Sequence, residues 1–74
     1  MQITVKLYAS FRLKWFKEAV KECPHGTEAF DIVKEIGIPI QELGSIVING
    51  RHASLHDKLR EGDILSLMPL IGGG

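Results

Sequence analysis

Cysteine is almost absent from the 74 residues: Cys23 stands alone. One thiol makes no internal disulfide and leaves no set of about four thiolates for an iron–sulfur cluster, which excludes a plant-type ferredoxin. Net charge is missing too. Nine Lys and Arg balance nine Asp and Glu, removing the broad attraction on which nucleic-acid binding draws. No apolar run approaches the roughly 18 residues of a membrane span, and the N-terminus lacks the charged and then apolar pattern of a signal peptide. A cytoplasmic protein with neither a membrane nor a nucleic-acid partner is expected. Interior volume is scarce as well, because a domain this small buries only about 60% of the surface its unfolded chain exposes. The chain shows no paired carboxylates, no nucleophile–base combination and no phosphate-binding glycine loop between strand and helix. It is therefore not expected to be an enzyme.

What remains is an ordinary globular composition, 45% hydrophobic and 24% charged, and a readable order of elements. Ile3, Val5 and Leu7 alternate with Gln2, Thr4, Lys6 and Tyr8, the period of a half-buried strand. Residues 9 to 17 carry basic and aromatic side chains without a clear period and read as a connection containing a helical turn. A second strand is expected over Glu18 to Cys23, with Ala19 and Val20 competing for the inward position. After Pro24 and Gly26, Thr27 is placed to N-cap a helix whose apolar residues Ala29, Ile32, Val33 and Ile36 keep helical spacing. Gly37 and Pro39 end it, and residues 37 to 44 read as a loop. Ser45 to Ile48 enter the Asn49-Gly50 dipeptide, which favours a tight hairpin turn, and Arg51 to Ser54 can pair back. Leu55 to Leu59 read as a brief helical turn, Glu61-Gly62-Asp63 as a turn, and Ile64 to Met68 as a last strand. The expectation is an α+β domain, with one main helix packed across a mixed sheet of four to five strands.

The last strand leads directly into the chain end. If Leu65 and Leu67 face the helix, Ile64, Ser66 and Met68 face away, and Pro69, Leu70 and Ile71 have no core to enter. Residues 1 to 69 are then the folded domain and residues 70 to 74 a flexible tail. Gly72, Gly73 and Gly74 have no side-chain width and suit a narrow channel in another protein, although ordering each backbone costs roughly 1–2 kcal/mol. Fully extended, the five residues reach about 17 Å, enough to carry Gly74 from the domain surface into a buried site.

Taken together, the opening strand with Leu7-Tyr8-Ala9-Ser10-Phe11-Arg12, the Ile48-Asn49-Gly50 turn, the Leu59-Arg60-Glu61-Gly62-Asp63 turn and the Pro69 to Gly74 ending resemble the ubiquitin-like sulfur carriers of the ThiS and MoaD group. The resemblance covers essentially the whole chain and implies the ubiquitin-like β-grasp fold. It departs at Leu70, where MoaD-like endings place a second proline and ThiS-like endings look more like Leu70-Ile71, and at Gly72, a position the family often fills otherwise. The final pair, Gly73-Gly74, matches. The resemblance implies that an E1-like adenylyltransferase joins the Gly74 carboxylate to AMP, using ATP and magnesium held by that partner. Sulfur from a donor such as a cysteine desulfurase then gives a thiocarboxylate. Its recipient is the large subunit of a molybdopterin synthase or a thiazole synthase of thiamine synthesis. Leu70, Ile71, Gly72 and Gly73 are the partner-binding tail, and Ile64 and Met68 the partner-binding surface. No cofactor is expected to be bound by the chain itself.

Two other readings stand beside this one: a protein modifier that joins target lysines through Gly74, and a β-grasp interaction module with an idle tail. Cys23 reads as a structural thiol, having only Lys21 and His25 as basic neighbours in sequence. His25, His52 and His56 do not share one helical face, and no metal site is expected. Arg12, Lys14, Lys17 and Lys21 are interrupted by Glu18 and Glu22 and read as a solvated face.

Overall fold

The period-two alternation near the N-terminus forms β1 (Gln2–Leu7), with Ile3, Val5 and Leu7 turned inward and almost wholly covered. The computed structural model describes residues 1–70 of the chain. After β1 comes α1 (Ala9–Lys14), a short but complete helix where a connection with one turn was expected. Its single buried residue is Phe11, which meets Trp15 edge-on at 5.7 Å between ring centroids. The chain returns as β2 (Glu18–Glu22), antiparallel to β1. Here the register settles the competition between Ala19 and Val20: Ala19 pairs with Val5 on the inward face, and Val20 pairs with Thr4 and is left exposed.

The main helix, α2 (Ala29–Ile36), has the predicted periodicity and buries Ala29, Ile32 and Val33 against the sheet. Its N-cap is Glu28, not Thr27. The Thr27 hydroxyl instead donates to the Pro24 carbonyl at 2.7 Å, closing the turn before the helix. The Glu28 N–H donates to the Asp31 carboxylate at 2.8 Å, and the Asp31 N–H returns to the Glu28 carbonyl at 3.0 Å. At the other end Gly37 adopts φ 95°, the left-handed conformation that suits glycine, and its N–H caps the Val33 carbonyl at 3.1 Å.

Residues 37 to 44 are more ordered than a loop, for Ile38 is buried, Ile40–Glu42 form a 3-10 turn, and β3 (Leu43–Ile48) starts two residues early. Asn49 and Gly50 both take positive φ, 51° and 81°, and turn the chain into β4, which is only Arg51–His52. The residues from Leu55 to Leu59 are not helical. They run along the start of α2, where the Asp57 and Leu55 carbonyls accept from the Ala29 and Phe30 N–H groups at 3.1 and 2.7 Å, and the Leu59 N–H donates to Thr27 at 2.8 Å. The first turn of a helix has N–H groups with no partner of its own, and this segment supplies their acceptors. The Glu61-to-Asp63 turn forms as expected, and β5 (Ile64–Pro69) completes the sheet.

Sheet order is β2-β1-β5-β3-β4, with β1 and β5 parallel at the centre and every other pair antiparallel. α2 lies across one face, over Ile3, Val5, Leu7, Ile46, Leu65 and Leu67. One main helix packed on a mixed five-stranded sheet is the ubiquitin-like β-grasp fold.

Candidate functional site

The candidate site lies where β5 leaves the sheet. Its inward residues Leu65 and Leu67 are fully buried, while Ile64 is exposed and Ser66 and Met68 are half-covered on the opposite face. The expected division of the strand therefore holds. Ile64 and Met68 share that outer face without touching, since four residues of strand separate them by about 13 Å and Ser66 stands between. Across the sheet, Ile64 continues through Thr4 to the exposed Val20, Ser66 lies between Lys6 and Val47, and Met68 pairs with Ser45. Apolar positions thus alternate with small polar ones rather than merging into one patch. Lys6 and Glu18 add an ion pair at 4.0 Å on this face, both partly exposed and contributing little stability.

Pro69 pairs with Leu43, and the Leu70 N–H donates to the Glu42 carbonyl at 2.9 Å, so the last described residue stays tied to the 3-10 turn that leads into β3. Leu70 itself is 62% exposed. The strands come so close here that a Cβ on Gly44 would lie 2.6 Å from the Pro69 carbonyl oxygen and 2.9 Å from the Leu70 nitrogen. The pairing register also shifts between Leu43 and Ser45, which accommodates the irregular step at Gly44. The sequence placed Gly44 in a loop and carried no signal of this contact, because only the pairing of β3 with β5 brings Pro69 to it. Ile71, Gly72, Gly73 and Gly74, the remainder of the expected tail, lie outside the described residues.

The rest of the surface is built by short-range acceptors. Asp63 takes the Arg60 N–H at 2.8 Å on one oxygen and the Asn49 side-chain N–H at 2.8 Å on the other, while the Asn49 side-chain Oδ1 accepts from the Ile64 N–H at 2.8 Å. This fixes the start of β5 to the hairpin turn. His56 meets the Glu28 carboxylate at 2.8 Å and lies beside Phe30, at the start of α2. Cys23 is a half-covered free thiol packed against the core. Among the described residues no group of three or more His, Cys, Asp or Glu side chains could hold a metal ion, and no helix is long and apolar enough to cross a membrane. Chemically, the arrangement delivers a backbone to the edge of the molecule.

The family model for Mut7-C ubiquitin matches residues 2–72. No curated protein matches the sequence. Among solved structures, the chain is similar to a putative molybdopterin converting factor subunit 1 from Pyrococcus furiosus, with 24% identity and a TM-score of 0.79 over 96% of this chain and 99% of that one. It is also similar to SAMP1 from Haloferax volcanii, with 19% identity and a TM-score of 0.81 over the whole of both chains. A third likeness, at 20% identity and a TM-score of 0.68 over the whole of both chains, is to a protein in the complex of subunits 1 and 2 of the molybdopterin-converting factor from Helicobacter pylori. At these identities the structural likeness establishes the shared fold.

Proposed function

The chain belongs to the Mut7-C ubiquitin family, and from that premise we propose that it is a cytoplasmic sulfur carrier whose Gly74 carboxylate is the reacting group. The observation that carries the reading is the exit of β5. The strand is paired with β3 as far as Pro69, Leu70 is bonded to Glu42 just before β3, and the residues that follow in sequence, Ile71 to Gly74, include no bulky side chain beyond Ile71. The carrier is a co-substrate and the chemistry belongs to its partners.

A C-terminal carboxylate, with a reference pKa of about 3.3–3.7, is ionised at neutral pH and is a poor electrophile. In the proposed sequence it attacks the α-phosphorus of ATP on an E1-like adenylyltransferase, releasing pyrophosphate and forming the acyl adenylate. Hydrosulfide, or the terminal sulfur of a desulfurase persulfide, then attacks the acyl carbon, and AMP leaves with the electron pair. With hydrosulfide the product is the thiocarboxylate. With a persulfide it is an acyl disulfide, which a second thiol cleaves to the thiocarboxylate. Leu70 and Ile71 would anchor the tail in the partner's channel and offset part of the entropy lost by the glycines. Ile64 and Met68 would contact the partner's surface from the outer face of β5. The H. pylori complex supports a large synthase subunit as one such partner. The recipient is a molybdopterin-type or a thiazole-forming synthase.

The test is intact mass after incubation with ATP, magnesium, a ubiquitin-type activating enzyme and sulfide. The expected result is a gain equal to the exchange of one oxygen for sulfur, lost in a chain truncated before Gly74. No gain with a panel of such enzymes would overturn carriage in favour of an interaction module. The likeness to SAMP1 supports a second use of the same activated end, attack by a target lysine to form an isopeptide bond. A Gly74-dependent mass increase on other proteins that survives denaturation would reveal it.

A further inference from the structure

Zero net charge conceals a strong asymmetry. The first 17 residues hold four basic side chains and no acidic one, while the remaining 57 hold five basic and nine acidic. The fold gathers the basic set. Because β1 and β5 are parallel neighbours, both end at the same pole of the sheet, and the Tyr8 N–H donates to the Leu67 carbonyl at 3.2 Å. α1 therefore stands beside the exit of β5. There Lys6, Tyr8, Arg12 and Lys17, with Leu7 and Glu18, line a cavity of about 110 Å³. Lys14 extends the positive surface and lies 5.0 Å over the Trp15 ring.

Two structural facts separate this cluster from an ordinary solvated face. Lys21 leaves it, because the β2 register turns its side chain to the helix side, where it pairs with Glu35 at 3.0 Å. Arg12, Lys14 and Lys17 have no carboxylate partner among the described residues, and Glu18 is engaged with Lys6. On the same helix, between Arg12 and Lys14 in sequence, Leu13 stands 89% exposed, and Tyr8, which lines the cavity, is 40% exposed. A bare leucine on a short helix that also carries cations with no carboxylate partner among the described residues has the composition of a docking spot, apolar surface beside charge. The other basic group, Arg51, Lys58 and Arg60, shares its open depression with Asp57 and Asp63 and has no comparable bare apolar residue.

We propose that α1 and the end of β1 form a docking site for an acidic polypeptide segment of a partner protein, seated beside the exit of β5. The occupant is protein rather than nucleic acid or membrane. Phe11 is buried and Trp15 packs against it, leaving no row of exposed aromatic planes for bases. A six-residue helix with one bare leucine offers too little apolar surface to lie in a bilayer. The inference rests on the carrier reading only for its biological reason, that a partner taking the tail must also hold the domain. Docking would orient the domain so that Leu70 points toward the partner's channel, and charge would speed the encounter.

The test needs neither sulfur nor ATP, so its failure is distinct from failure of the carrier reading. The full ¹⁵N-labelled chain is titrated with a deca-glutamate peptide at low ionic strength. Saturable amide shifts are expected over Tyr8 to Glu18, weakening as ionic strength rises to about 0.15 M, where the Debye length is about 8 Å. The exposed double variant Arg12→Glu with Lys17→Glu should bind about tenfold more weakly, because two attractions become repulsions. Lys58→Glu with Arg60→Glu should bind as the parent does. Leu13→Ser should weaken binding to an acidic peptide that carries a leucine more than binding to deca-glutamate. The absence of saturable shifts, equal shifts around Lys58 and Arg60, or tighter binding to oligothymidylate or phosphatidylserine vesicles would each overturn the proposal.

Discussion

A missing methyl group at position 44 sets the path of the chain out of the domain. In Gly44→Ala the new Cβ would press on the Pro69 carbonyl at 2.6 Å, and both obstructing groups are backbone that cannot rotate away. The expected loss is about 1–3 kcal/mol of unfolding free energy, read from denaturant melts, with amide shifts concentrated at residues 42–44 and 68–70. Gly50→Ala is the informative contrast. Its Cβ would meet open space, so only the φ of 81° is at stake, a strain of about 1–2 kcal/mol, and the amides of β5's far end should not move. Buried Leu65, with no exposed surface, should cost about 2–5 kcal/mol when cut to Ala. Asp63→Ala should cost about 0.5–1.5 kcal/mol in the same melts, because the Asn49 amide and the Arg60 N–H that its two oxygens accept are exposed and can turn to water.

Elements differed in how well the chain announced them, and the reasons are physical. α2 was legible because Ala29, Ile32, Val33 and Ile36 repeat at helical spacing and Gly37 closes the run. The inward and outward faces of β1 and β5 were legible because alternation needs no knowledge of neighbours. α1 was obscured because only Phe11 is buried, so a helix with one core contact shows no period. Misassignment of the cap to Thr27 followed from its residue type, whereas the device in use depends on Asp31 three positions beyond Glu28. Ser54 with Asp57 and Arg60 with Asp63 repeat that device: in each, the aspartate carboxylate accepts the earlier N–H at 2.8 Å, and its own N–H returns to the earlier carbonyl at 3.0 or 3.1 Å. Only the first continues into a helix. This explains the false helical turn at Leu55 to Leu59: a single turn closes from Ser54 to Asp57, and bonds to Thr27, Ala29 and Phe30 then lead the backbone along α2 instead of continuing it as a helix. An Asp31→Ala variant should therefore lose about 0.5–2 kcal/mol, with hydrogen exchange accelerated first at Glu28, whose N–H loses its acceptor. The close approach of Gly44 to Pro69 was illegible because it joins residues that only the β3–β5 register brings together.

For the molecule as a whole, the central fact is that its first and last strands are partners. Neither β1 nor β5 has its full set of neighbours until both are present, so the sheet should form and melt as one unit. Tryptophan fluorescence from Trp15, packed on Phe11, and far-ultraviolet circular dichroism should give coincident denaturation curves. A separate transition at Trp15 would show α1 to be an independent appendage. The same pairing has a mechanical meaning. Because β1 and β5 run in parallel, a pull on the chain beyond Leu70 against an anchored N-terminal end loads the ladder from Thr4–Ile64 to Leu7–Leu67 in shear. All of its hydrogen bonds then bear the load together. Tension along the emerging chain would meet the stiffest axis of the fold, whereas the same force applied across edge strand β4 would peel it away one bond at a time.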